Sequence, residues 1–197
     1  MLPVMEEFYS LQGEGFHTGS AAYFLRIGGC DIGCNWCDSK SSWMFGKHPL
    51  ISVDEVVGRV LGFSARAVVV TGGEPSIYPL EYLCTSLKAA GVMTFVETSG
   101  AYPLTGKWDW ICLSPKLQSP PLNGVYALAN ELKVIVEKSS DLEWAEKNAN
   151  RVDPKCHLFL QPEWSRKSVM LDEIVAYIGL NPRWRLSLQS HKYIGIP

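Results

Sequence analysis

Three cysteines fall within eight residues in Cys30-Asp31-Ile32-Gly33-Cys34-Asn35-Trp36-Cys37, whereas Cys84, Cys112 and Cys156 stand alone in apolar stretches. Thiolates this close cannot all be bridged to one another, and a loop following an apolar run lets several ligands converge without strain. A ferredoxin-type 4Fe-4S cluster takes four cysteines as a rule, so three would leave one iron open to a small molecule that could be bound and reduced there. Structural zinc also favours short cysteine spacings, and it would need a fourth ligand such as His17 or His48. Disulfides would require an oxidising compartment. The isolated cysteines read as small core residues.

Other chemically capable residues recur in one kind of position. Thr71-Gly72-Gly73-Glu74-Pro75, Glu97-Thr98-Ser99-Gly100, Ser114-Pro115-Lys116, Gln161-Pro162-Glu163 and Gln189-Ser190-His191 each directly follow a short apolar run. Any one of these is an ordinary turn or helix cap by itself. Their repetition asks for a scaffold that delivers several strand ends to one rim. The runs 22–27, 67–70, 93–96, 110–113, 132–136, 157–160 and 185–188 have the length and apolar character of buried parallel strands. Helical patterns lie between them. Ser52 with Glu55 forms a capping box ahead of Val53, Val56, Val57 and Val60; Leu80, Leu83, Cys84 and Leu87 share a face after Pro79; Ser140 with Glu143 repeats the cap signal; and Val169–Ile178 is amphipathic before Asn181-Pro182. The βα alternation predicts an α/β fold, a complete or partial βα barrel, with a doubly wound open sheet as the alternative. Catalytic groups of such barrels come from the C-terminal ends of several strands, which favours the barrel.

A chain of 197 residues with 47% hydrophobic content supports one domain spanning 1–197. A net charge of -2 without a Lys/Arg run argues against direct nucleic-acid binding and for a small-molecule substrate. With no signal segment and no bilayer-length apolar run, a cytoplasmic protein is expected. After the strand at 185–189, the end of the chain is short and apolar (Tyr193, Ile194, Ile196), and the segment 189–197 is expected to fold back over the rim.

The cysteine loop, with Gly72-Gly73-Glu74-Pro75, resembles radical S-adenosylmethionine (SAM) enzymes. Leu11-Gln12-Gly13-Glu14-Gly15, Phe24 to Cys30, Cys37-Asp38-Ser39, Leu113 to Lys116 and His191 to Pro197 are similar to one family among them, the 7-carboxy-7-deazaguanine synthases of queuosine and deazapurine biosynthesis. The resemblance implies a partial βα barrel in which SAM is cleaved by a reduced cluster and a hydrogen is taken from 6-carboxy-5,6,7,8-tetrahydropterin. Ring contraction and loss of ammonia then give 7-carboxy-7-deazaguanine. It further implies that Cys30, Cys34 and Cys37 ligate the 4Fe-4S cluster, and that Trp36, Cys37, Asp38, Gly73, Ser114, Pro115, Lys116 and Gln161, Pro162, Glu163 and Trp164 contact SAM. Leu11, Gln12, Gly13, Glu14 and Thr71 would read the pterin. Arg26 would grip the substrate carboxylate through two parallel hydrogen bonds, and the free carboxylate of Pro197 would meet the amino-bearing edge, with Gln189 and His191 positioning the tail. Ser39 would offer an oxygen to magnesium. A homodimer and a low-potential electron donor such as flavodoxin or ferredoxin complete the implied set. A radical SAM activase that makes a glycyl radical on a partner protein is the alternative function.

Overall fold

The computed structural model describes residues 1–197. Its strands are β1 (Leu2–Leu11), β2 (Ala21–Ile27), β3 (Leu50–Ile51), β4 (Ala67–Gly72), β5 (Met93–Thr98), β6 (Trp110–Leu113), β7 (Glu131–Val136), β8 (His157–Pro162) and β9 (Trp184–Leu186). The helices are α1 (Val53–Leu61), α2 (Glu81–Ala89), α3 (Asn123–Tyr126), α4 (Asp141–Ala149), α5 (Lys167–Leu180) and α6 (Ser190–Ile194). All nine strands form one sheet in the order β3-β1-β2-β4-β5-β6-β7-β8-β9. Every pairing from β2 to β9 is parallel, while β1 runs antiparallel to both β2 and β3. The terminal strands β3 and β9 do not pair, so the sheet is a partial barrel.

Strand periodicity divides the side chains between two environments. Tyr23, Leu25 and Ile27 of β2 and Val68 and Val70 of β4 pack outward with Val56 and Val60 of α1 and Leu83 and Leu87 of α2. Leu132, Val134 and Val136 of β7 and Leu158 and Leu160 of β8 likewise pack with α4 and α5 through Leu142, Ala145, Met170 and Ile174. The alternate residues Ala22, Phe24, Ala67, Val69 and Phe95 fill the concave side as a small apolar layer. Nearer the C-terminal strand ends, that same face carries Arg26, Thr71, Glu97, Lys133 and Gln161. The barrel interior is thus packed below and polar above.

Several local expectations are corrected. The strand β1 has no clear signature, because Glu6-Glu7 interrupts its apolar pattern; it forms by backbone pairing with β2 and β3, and Arg26 and Arg59 meet the two carboxylates. Ser52 Oγ accepts from Glu55 N (3.1 Å), but the Glu55 carboxylate turns to Arg59, so the capping box is one-sided. Ser140 makes no side-chain cap. Asp141, the first helical residue, turns back instead, its Oδ2 accepting from the Glu137 and Lys138 backbone N–H groups of the preceding turn at 2.9 and 3.1 Å. The helix α5 leaves Val169, Val175 and Leu180 exposed, so its outer face is not polar. The last strand stops at Leu186, and the tail beyond it coils into α6. No helix is long and apolar enough to cross a membrane.

Candidate active site

A single cavity of about 400 Å³ opens at the C-terminal ends of the strands. Its wall includes every residue that the resemblance names as a cluster, SAM, substrate or magnesium contact except Pro115, which is buried next to Ser114 and Lys116; His17 and His48, the candidate zinc ligands, are not part of it.

The cysteine loop follows β2, and β4 ends beside it. A Cβ on Gly72 would stand 2.0 Å from the Ile27 carbonyl oxygen, and one on Gly73 would stand 2.3 Å from the Gly29 oxygen and 2.8 Å from Cys30 Cβ. The paired glycines therefore let two loops lie backbone against backbone. Glu74 clamps the next loop to them. Its buried carboxylate accepts from Ser76 N (3.0 Å), Ser76 Oγ (2.6 Å), Thr98 Oγ1 (2.6 Å) and Ser99 N (2.7 Å).

The three thiols all face the cavity. No three His, Cys, Asp or Glu side chains converge as a mononuclear ion requires. A cubane takes one cysteine per iron, so three thiols facing one cavity suit a cluster with one iron left open. His17 stacks instead on Phe95 with ring centroids 4.5 Å apart, and His48 lies over Gly28. Two sulfurs already receive hydrogen bonds of the kind that tune a cluster: Trp43 Nε1 donates to Cys37 Sγ (3.3 Å) and Gln118 Nε2 to Cys34 Sγ (3.1 Å). Burial pushes the Cys30 thiol up to about 11 and raises Cys34 as well. Iron would supply the positive charge that deprotonates them.

Beside the thiols, Lys116 Nζ donates to Ser114 O (2.6 Å) and Ser114 Oγ (2.7 Å) and stands 5.6 Å from the Trp36 ring centre. Burial lowers the pKa of this lysine. Glu163 uses its carboxylate to cap the turn that follows β8, accepting from Ser165 N (3.0 Å) and Arg166 N (3.1 Å), and so sets the position of Trp164.

The far wall is a buried charge network. Lys133, 3% exposed, bridges Glu14 and Glu97, with 2.9 Å to Glu97 Oε2. Gln12 Nε2 donates to Glu97 Oε1 (2.9 Å), and Gln189 Nε2 donates to Glu14 Oε1 (2.8 Å). Burial works to raise the Glu14 pKa, but the Lys133 charge and hydrogen bonds from Lys133, Gln189 and Gln161 outweigh it and hold the group down to about 2. The two carboxylates conversely hold Lys133 well above its ordinary value against its own burial. Lys133 was not singled out from sequence. Its signal is a lysine inside the apolar run Leu132 to Val136, where a charged side chain must find a partner.

Arg26 neighbours Thr71 across the β2–β4 ladder, and its Nε donates to Glu6 Oε1 (2.6 Å). The tail closes the remaining side. Ser190 N donates to Gly13 O (2.9 Å), Lys192 Nζ pairs with Asp38 Oδ2 (2.6 Å), and Ser10 Oγ donates to Pro197 O (3.1 Å). His191 lies so close over Gly13 that a Cβ there would stand 2.0 Å from its Nδ1.

A partial barrel with three cysteines after the first parallel strand and a Gly-Gly-Glu turn after the next defines a radical SAM enzyme, and residues 25–113 match the model of the Radical SAM superfamily. The cofactors that follow are a 4Fe-4S cluster and SAM, and the thiols and their hydrogen-bond donors fit the cluster. A "7-carboxy-7-deazaguanine synthase" of Flavobacterium psychrophilum is 52% identical over 197 residues, covering 100% of this chain and 93% of the relative. One from Synechocystis is 48% identical over 194 residues, covering 98% and 93%. The crystal structure of QueE from Escherichia coli matches with a TM-score of 0.81 at 32% identity, covering 96% of this chain and 94% of that one. The chain belongs to the 7-carboxy-7-deazaguanine synthase family.

Proposed function

We propose that this chain converts 6-carboxy-5,6,7,8-tetrahydropterin to 7-carboxy-7-deazaguanine by radical ring contraction with loss of ammonia. One observation carries the reading: the cavity that holds the three thiols also holds a guanidinium, Arg26, and a carboxylate pair, Glu14 and Glu97. That polarity suits a molecule with a carboxylate at one end and an amino-bearing ring edge at the other. When bound, a reduced 4Fe-4S cluster with SAM on its open iron supplies one-electron cleavage of SAM and hydrogen abstraction from the substrate.

The protein's own residues bind and orient. Cys30, Cys34 and Cys37 hold the cluster. Trp36, Asp38, Gly73, Ser114, Lys116 and the turn Gln161–Trp164 hold SAM, with Pro115 shaping the turn between Ser114 and Lys116. Arg26 keeps its terminal guanidinium nitrogens for the substrate carboxylate while its Nε is engaged by Glu6. Gln12 and the carboxylates tied to Lys133 accept hydrogen bonds from the amino-bearing edge, with Leu11, Gly13, Thr71 and Pro197 completing its surround. The segment 189–197 closes the domain's rim and excludes water. A magnesium ion would take a hydroxyl oxygen from Ser39, whose side chain faces the cavity, and its other oxygens from substrate and water. The reading includes a cytoplasmic setting, a homodimer and a flavodoxin- or ferredoxin-type electron donor. None of the relatives described above is a glycyl-radical activase.

Anaerobic reconstitution, iron and sulfide analysis, SAM cleavage and product mass spectrometry test the proposal together. Cys34→Ala should abolish the cluster absorbance and SAM cleavage alike. Full SAM cleavage by that variant, or stoichiometric zinc without iron in the parent protein, would overturn it.

A further inference from the structure

The short helix α6 buries none of its own side chains, so the apolar core does not hold it in place. Polar contacts seat it instead. Two of them reach Asp38, the residue after Cys37. Lys192 Nζ pairs with Asp38 Oδ2 (2.6 Å), and Gln189 Nε2, at the head of the helix, donates to the same oxygen (3.3 Å) and to Glu14 Oε1 (2.8 Å). Tyr193 packs edge-on against Trp164 with ring centroids 5.2 Å apart, and Lys192 Nζ stands 5.1 Å from the Trp164 ring centre. Asp38 follows β2 and Trp164 follows β8, so α6 bridges two separate loops that are both assigned above to SAM. The same helix also reaches the substrate end of the cavity. Ser190 Oγ donates to Gly13 O (2.9 Å), and Gly195, at φ 70°, turns the last residues back so that Ser10 Oγ meets a terminal oxygen of Pro197 (3.1 Å).

We propose that Lys192 is a positioning residue that couples the two halves of the site: SAM bound against Asp38 and Trp164 seats α6 through Lys192, and the seated helix holds the chain end ready for the pterin. The inference rests on the function proposed above and adds to it a thermodynamic link between cofactor and substrate. The Asp38 side chain is 58% exposed in the open cavity, and an ion pair that solvent reaches contributes little by itself. A ligand covering Asp38 and Trp164 removes that water, so the pair is screened less and the two loops under α6 are held at one spacing. The pterin then meets a chain end already ordered, and less conformational freedom is lost when it binds. Linkage requires that the pterin tighten SAM by the same factor. Lys192 acts through Asp38 and the tail, and no bond forms or breaks.

The test uses the cluster-loaded enzyme under anaerobic conditions without reductant, so that SAM stays intact. Calorimetry measures the Kd of 6-carboxy-5,6,7,8-tetrahydropterin with and without saturating SAM, and the Kd of SAM with and without the pterin. Hydrogen exchange follows the amides of residues 189–197. In the wild type each ligand should tighten the other by about tenfold, and SAM alone should slow exchange in the tail. Lys192→Met, at wild-type iron content, should bind the pterin alone within about twofold of wild type, because the uncovered pair is weak. It should lose both the coupling and the SAM-dependent protection. Lys192→Arg keeps a cation within reach of Asp38 and should retain both, and a control on the exposed face of α4, Lys147→Met, should match wild type. Equal coupling in the wild type and Lys192→Met overturns the assignment. So does a loss of iron or of SAM-free pterin binding in that variant, which would make Lys192 a structural residue. Independent binding of the two ligands by the wild type also overturns it and leaves the proposed reaction standing. A wild-type enzyme that binds SAM but not the pterin overturns the proposed function and this coupling together.

Discussion

Lys133 shows most clearly how one buried charge sets the character of this cavity. Two carboxylates share it, and each is also held by an amide, Gln189 on Glu14 and Gln12 on Glu97. Removing one partner of a buried ionic group leaves the others uncompensated, so Lys133→Met should cost about 3–5 kcal/mol in chemical denaturation. The pH dependence has a definite sign. Because the folded pKa of Glu14 lies near 2, below its ordinary 4.5, its contribution is present above 4.5 and is lost as pH falls towards 2. Wild-type stability should therefore drop across that window, and Lys133→Met should lose this component of the drop; a parallel acid profile for the two proteins would contradict the pairing. Arg26 offers a second prediction at this scale. Arg26→Lys keeps the charge but loses the planar fork, and turnover should fall by about tenfold or more, the scale of one charge-assisted hydrogen bond. SAM cleavage without substrate should persist, and equal kinetics for Arg and Lys would reduce Arg26 to the partner of Glu6.

Among the elements, the loops after β2, β4 and β5 act as one interlocked unit. Gly73 lets the β4 loop rest on Gly29 and Cys30, and Glu74 ties that loop to Thr98 and Ser99 at the end of β5. Gly73→Ala introduces a methyl group within contact distance of main chain, which cannot rotate away. It should cost about 1–3 kcal/mol of stability, as overpacking does, and lower the iron bound after reconstitution. Thermal unfolding and iron analysis on the same preparation check both effects. An alanine variant with wild-type iron content would show that the cysteine loop can shift without losing its ligand geometry.

For the whole molecule, the far end of the first strand and the C-terminal tail meet beside the site. The first strand contributes Ser10, whose hydroxyl donates to a terminal oxygen of Pro197, and the tail crosses the rim to reach Gly13 and Asp38. A C-terminal tag displaces the terminal carboxylate and disturbs this seat, so it should depress turnover strongly while cluster content and SAM cleavage survive. An N-terminal tag should be mild, because Met1 is 70% exposed. Product formation by the C-terminally tagged protein at the untagged rate would remove the chain end from the site.

Cysteine spacing, the glycine pair and the apolar runs were readable in the sequence because each depends on local chemistry: ligand reach, backbone sterics and strand periodicity. Those features determined the parallel strands, the rim, and the loop that carries the thiols. Strand β1 was not legible, since Glu6 and Glu7 break its apolar pattern and the strand is defined by its pairing with β2, whose Arg26 meets Glu6. Lys133 was likewise hidden in an apolar run, its partners Glu14 and Glu97 lying 119 and 36 residues away. Nor could the sequence show that Ser140 leaves the α4 N-terminus without a side-chain cap while Asp141 turns back to the preceding turn, which depended on side-chain direction. Tertiary structure alone decided these matters, because a buried charge takes its meaning from whichever groups the fold places within hydrogen-bond distance.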